Sequence, residues 1–182
     1  GVALTPIQFA WLGNEAFGLI VLLGAGMGLV GLAALFQDVI RNGMVRELGD
    51  AYHSGDDLLF RRVYNSSYII CGVAALCAAL TFGLIILVLP LLKIHPDLLG
   101  PARIFTASEG VYTCVMILLA PPFNLYVVSE RFVAANIWTA AKRVTYLIAA
   151  VVLFYGMVIT DPPRALTLFG IVPAVMNILL LL

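Results

Sequence analysis

Apolar positions along this chain neither alternate nor form a narrow helical stripe. They run on without a charged residue for lengths close to the roughly 20 helical residues that cross a hydrocarbon layer about 30 Å thick. Four such runs are Phe17 to Phe36, Tyr68 to Leu92, Gly110 to Ser129 and Val144 to Thr160. A fifth, Ala165 to Leu182, is as apolar, and Gly1 to Trp11 reads as the end of an earlier span. The pattern predicts an all-α, polytopic transmembrane helix bundle without β-sheet. Its spans are expected near residues 1–11, 17–36, 68–92, 106–129, 138–160 and 165–182, with 37–67 as the one long polar connection. Both ends read as cut and no initiator Met is present, so a part of a longer polypeptide is expected; no secretory signal pattern is visible.

Within the polar connection, Ser54-Gly55-Asp56-Asp57 forms a helix-start signal, with the Ser54 side chain expected to cap and the two Asp favouring the positive helix end. From there Leu58, Leu59, Val63 and Tyr64 recur at helical spacing and lead into the next apolar run. The preceding stretch Val45 to Tyr52 reads as the tail of another helix, stopped near Gly55. Inside the spans, Gly24, Gly28 and Gly31 share a face expected to lie against another helix, since lipid-embedded helices associate through close contact of small residues. Pro121-Pro122 removes helical hydrogen bonds and is expected to kink its span.

Composition agrees with the pattern: with 63% hydrophobic and 11% charged residues, no water-exposed surface of ordinary character can be assembled. Ten Lys plus Arg against ten Asp plus Glu give no basic excess for nucleic acid. The basic residues are nevertheless unevenly placed. Arg41, Arg46, Arg61, Arg62, Arg131, Lys142 and Arg143 fall in or beside one set of connections, and Lys93, Arg103 and Arg164 in the other. The positive-inside rule then puts 37–67 in the cytoplasm, and the connections Leu12 to Ala16, Lys93 to Arg103 and Asp161 to Arg164 outside.

Catalytic and metal constellations are weak. Cys71, Cys77 and Cys114 lie within spans without metal-ligand spacing and read as small core residues. His53 and His95 lie in connections, against a haem subunit. With no nucleophile triad and no phosphate-cradling loop, neither an enzyme nor a cofactor or metal is expected.

The run Leu12-Gly13-Asn14-Glu15-Ala16-Phe17-Gly18-Leu19, the glycine-rich span, then Val45-Arg46-Glu47-Leu48, Ala51-Tyr52 and Gly55-Asp56 resemble the N-terminal half of polysaccharide flippases. These belong to the multidrug/oligosaccharidyl-lipid/polysaccharide exporter superfamily. Ala120-Pro121-Pro122-Phe123, Glu130-Arg131-Phe132, Ala135-Asn136 and Arg143 are similar to the same family's fourth and fifth helices. The likeness runs over nearly the whole chain. It implies a MATE-like two-lobed transporter fold of which this chain supplies part of the N-lobe, in the bacterial cytoplasmic (inner) membrane. It also implies an undecaprenyl-linked oligosaccharide carried to the outer leaflet by alternating access. One departure is Gln37-Asp38-Val39-Ile40, out of register with the family's Asp-x-Gly step, which leaves the role of Asp38 open.

A pyrophosphate-linked sugar is anionic, so basic side chains facing a watery cavity are the expected binding groups. Arg143, beside a long apolar run, is the first candidate, with Arg46 and Arg131 lining the same mouth. Arg131 and Lys142 also read as anchors snorkelling to headgroups, and for Arg143 both placements stay open. Glu109 is a candidate ion-coupling group, although capping or an ion pair with Arg103 explains it more simply. Two alternatives stand beside the flippase: a non-transporting structural or accessory subunit among other membrane subunits, and a drug/cation antiporter of the same superfamily.

Overall fold

A computed structural model describes residue 18 and residues 43–92, 94–156 and 162–179. Every regular element among them is helical, and none is a strand. Helix α1 covers residues 43–53. Helix α2 (Asp57–Val88) continues through a 3-10 turn (Leu89–Leu92), and α3 (Pro96–Leu118) and α4 (Ala120–Val128) follow. Then come α5 (Phe132–Gly156) and α6 (Pro162–Leu179). The expected spans at 1–11 and 17–36, the Gly24/Gly28/Gly31 face and Asp38 lie outside the described residues.

The turn between α1 and α2 is closed locally, but by a different residue from the one expected. Asp56, not Ser54, caps α2: its Oδ1 accepts from the Leu58 and Leu59 N–H groups at 2.9 and 3.1 Å. An ionised carboxylate at this position satisfies two orphan donors and also meets the helix dipole, a double advantage over a hydroxyl. Ser54 works on the other side of the turn, donating to the Ala51 carbonyl at 2.8 Å and accepting from the Asp56 N–H at 3.2 Å. Gly55 between them takes φ +71°, the left-handed conformation that ends α1.

From Asp57 to Leu92 the backbone stays helical for 36 residues, about 54 Å, far beyond the apolar run that begins at Tyr68. This element is long and apolar enough to cross a membrane. A second span of that kind exists if α3 and α4 are taken together; they are bent by 46° at Leu119. Pro121 and Pro122 explain the bend, because without N–H groups they leave the Ile117 and Leu118 carbonyls without their helical donors. Helix α3 starts at Pro96, well ahead of the apolar run that begins at Gly110, with Pro96 in its first turn presetting φ and Asp97 beside it. Helix α5 likewise starts at Phe132, well before Val144.

Helices α2 and α3 run antiparallel. Gly110 of α3 lies against Phe82 of α2, and the Cys114 thiol donates to the Ala75 carbonyl at 3.4 Å, so residue numbers fall on one helix as they rise on the other. Phe82, Leu89, Leu98, Ala102, Phe105, Leu153, Ala165, Leu166 and Phe169 form one buried cluster, joining the end of α2, the start of α3, the end of α5 and the start of α6. Met44, Leu48, Cys71, Ala75, Ala78, Ile117 and Val128 form a second cluster toward the other end. Cys71 is buried there and Cys114 packs against it, whereas Cys77 departs from the expected core position and is exposed on the outer side of α2. Helices α3 and α6 leave the same end side by side and come closest at Gly170. A Cβ added there would stand 2.8 Å from the Phe105 Cα and 2.9 Å from the Ser108 Oγ.

Candidate functional site

The described arginines are divided unevenly between the two ends of this bundle, and the end that holds more of them also carries exposed Glu47, Asp50, Asp56, Asp57 and Glu130. Met44 of α1 accepts a 3.5 Å contact from Asn124 Nδ2 of α4 and shares a cluster with Val128, so Arg46 and Arg131 stand at the same end. Arg61 and Arg62, at the start of α2, join them there, and all four are exposed. Arg103 and Arg164 are exposed toward the opposite end. Arg131 is held by the chain reversal after α4. Its N–H reaches the Tyr126 carbonyl at 2.8 Å, and the Glu130 N–H donates to Val127 at 3.1 Å. Glu130 takes φ 59°, a conformation usually left to glycine in this kind of helix-ending turn.

Arg143 lies further along the chain. It is described by its backbone alone, on α5, about eleven residues after Phe132 and ten before Leu153 of the opposite-end cluster. At the helical rise that places its Cα roughly 16 Å from the start of the helix, near mid-height. The difference from the expected entrance position arises because α5 begins a dozen residues ahead of its apolar run. Glu109 also stands near mid-height, on α3, partly buried and away from either helix end. Six residues separate it from Arg103, which puts the two about 120° apart around the helix and not on one face.

Mid-height is also where polar side chains are buried. Thr106 and Thr113 of α3, Thr145 of α5 and Asn177 of α6 are each less than a tenth exposed, and Asn124 of α4 lies deeper toward the arginine-rich end. Thr106 and Thr145 satisfy themselves by donating to the carbonyls of Ala102 and Ala141, at 2.8 and 2.9 Å. Asn177 is fully buried and donates to the Pro173 carbonyl at 2.9 Å. Its Oδ1 is the buried side-chain oxygen left without a partner among the described residues. Counting from the Gly170 contact, Asn177 reaches the level of Tyr112 to Val115, roughly 10 Å further along both helices. The height of Asn177 and Thr113 could not be read from runs that hydropathy treats as uniformly apolar; the only signal was an amide inside one of them.

No group of His, Cys, Asp and Glu able to hold a metal ion occurs among the described residues. His95 Nδ1 and Asp97 Oδ2, 3.4 Å apart, form an exposed pair at the start of α3. No protein-family model matches the chain, and no curated protein or solved structure is similar to it at a significant level.

Proposed function

We propose that this chain is a polytopic membrane bundle forming part of the N-lobe of a flippase in the bacterial cytoplasmic membrane. Its cargo is a lipid-linked oligosaccharide, moved from the cytoplasmic to the outer leaflet by alternating access. The observation that carries the reading is the 46° break between α3 and α4 inside a bundle that buries Thr113 and Asn177 at mid-height. Interrupted helices and polar groups far from both ends are expensive in lipid and are kept where a pathway passes between helices. The motifs resembling polysaccharide flippases supply the substrate class.

In this reading the basic residues act in sequence. Arg46 and Arg131 at the cytoplasmic end offer charged hydrogen-bond donors to an anionic headgroup. Arg143, near mid-height, meets the pyrophosphate in transit, where a guanidinium with two parallel donors is worth most because water is scarce. Glu109 is the group to which ion coupling would be assigned. No covalent step is involved, and the protein contributes binding, shape and a change of access.

The test uses the intact protein in vesicles containing a fluorescent polyprenyl-pyrophosphate oligosaccharide, with an impermeant reagent reading the outer leaflet. Arg143→Ala should slow translocation by roughly tenfold or more, the worth of a charge-assisted contact, at unchanged abundance. Arg143→Lys should retain part of the rate. Full translocation by Arg143→Ala would remove the residue from the pathway, and no translocation by the unaltered protein would remove the flippase reading.

A further inference from the structure

Helix α2 has two unlike faces. One buries Ser67, Cys71, Ala75, Ala78 and Phe82 against its neighbours. Opposite to it, Ile69, Val73, Leu76, Leu80, Leu84 and Leu87 are all more than half exposed and line up into a single apolar stripe. The stripe does not stop at water in a neutral way. One turn or two below it the same face carries Arg62, seven residues before Ile69 and therefore beneath it, with Arg61 beneath Tyr68 and Asn65 between them, all exposed. No carboxylate lies within ion-pair distance of either guanidinium among the described residues. Tyr68, above Arg61, is exposed and meets Tyr64 edge-on at 5.2 Å with the two phenol oxygens 3.2 Å apart, whereas Phe60 and Tyr64 pack inward against the cluster around Met44 and Leu48. Aromatic rings of this kind concentrate where a hydrocarbon layer meets its headgroups.

We propose that Arg61, Arg62 and Asn65 form a binding site for the phosphate of an anionic phospholipid in the cytoplasmic leaflet, with an acyl chain lying along the Ile69 to Leu80 stripe. The inference rests on the membrane reading given above but not on the identity of any transported cargo. Two unpaired guanidinium groups select negative charge. An apolar track continuous with them selects an amphiphile over a free anion, because only a lipid covers both parts at once. Exposed Tyr68, between the arginines and the stripe, marks the depth of the site, with the arginines at headgroup level and the stripe in hydrocarbon. Helix α2 is thereby fixed in height against the membrane while its inner face remains free to serve the bundle.

The site is tested with the full chain reconstituted in phosphatidylcholine vesicles carrying either phosphatidylglycerol or phosphatidylcholine with a spin label on the acyl chain. The motionally restricted fraction reads association with the protein. Phosphatidylglycerol should be preferred over phosphatidylcholine, and Arg61→Gln with Arg62→Gln should reduce that preference by about fivefold for each charge removed. Arg61→Lys with Arg62→Lys should keep most of it, which separates lost charge from lost folding. Arg103→Gln, toward the other end, should leave it unchanged. Equal restriction of the two lipids, or an undiminished preference in the Gln variant, overturns the site while leaving the membrane reading intact. Displacement of phosphatidylglycerol by inorganic phosphate at constant ionic strength overturns the assignment to lipid. Absence of any restricted lipid, with the protein left in the aqueous phase, overturns the membrane reading and the site together.

Discussion

Helices α2 and α6 are both apolar, yet they are held in place by different physics. Helix α2 is long, starts from its own side-chain cap at Asp56, and leaves a full face uncovered. Helix α6 is half that length, carries Pro173 and Asn177 in its interior, and buries Ala165, Leu166, Phe169, Gly170, Pro173, Ala174 and Asn177 along one side. Apolar length is enough to define the first, because its hydrogen bonds are internal and its outer face asks only for hydrocarbon. The second depends on contact: Gly170 lets the α6 backbone approach the Phe105 Cα. Apolarity marks where a helix runs, and small or polar residues inside it mark where it packs.

Substitution at the two kinds of glycine breaks this comparison most severely. Gly170→Leu has no space, since even a Cβ would stand 2.8 Å from backbone, and the bundle should lose its compact state in a detergent thermal-melt assay. Gly170→Ala should already cost about 1 to 3 kcal/mol, the usual range for overpacking. Gly72 on α2 has nothing within 4 Å of an added Cβ, so Gly72→Ala should be neutral or stabilising by up to about 1 kcal/mol. Equal effects at the two glycines would mean that α3 and α6 do not approach as described.

Asn177 sharpens the same contrast. Its buried Oδ1 lacks a partner among the described residues, so Asn177→Leu removes a desolvated acceptor while keeping the branching and number of heavy atoms, in a somewhat larger side chain. Stability should hold or rise, by about 1 kcal/mol, whereas Asn177→Asp should lower it by more than that. A large loss on Asn177→Leu would show that the oxygen is engaged and that α6 is held by a polar contact. The smallest effect is expected at the start of α2. Asp56→Ala should cost about 1 kcal/mol, visible as faster amide exchange confined to Leu58 and Leu59, with Asp56→Asn recovering most of it. Loss of the whole helix in Asp56→Ala would contradict the view that α2 stands on its own length.

Much of this was readable from residue order, and for definite reasons. The stop near Gly55 and the bend at Pro121-Pro122 are backbone chemistry, carried by residues whose behaviour hardly depends on surroundings. The cap was assigned one turn-side too early because Ser54 and Asp56 are both good caps, and the choice between them depends on which bond closes the end of α1. The helix start at Asp57 was legible in its cap signal, whereas those at Pro96 and Phe132 were invisible to hydropathy, which registers the lipid-compatible part of a helix and not its hydrogen-bonded length. That shift matters for the site, since it moves Arg143 from an end of α5 to near its middle. Gly110 and Gly170 escaped because close approach at an isolated glycine leaves no spacing motif; only the folded neighbour reveals it.

The central claim, a chain that threads a membrane with its arginine-rich end in the cytoplasm, is tested most directly by accessibility. With Cys71, Cys77 and Cys114 replaced by Ala, single cysteines at the exposed positions Asp57 and Asp97 and at Leu80 on the apolar stripe are treated with an impermeant maleimide in intact cells and after permeabilisation. Asp97→Cys should react in intact cells, Asp57→Cys only after permeabilisation, and Leu80→Cys in neither case. Reaction of Asp57→Cys but not Asp97→Cys in intact cells would invert the orientation. Ready reaction of Leu80→Cys, at a rate like that of the other two, would contradict a membrane-embedded α2.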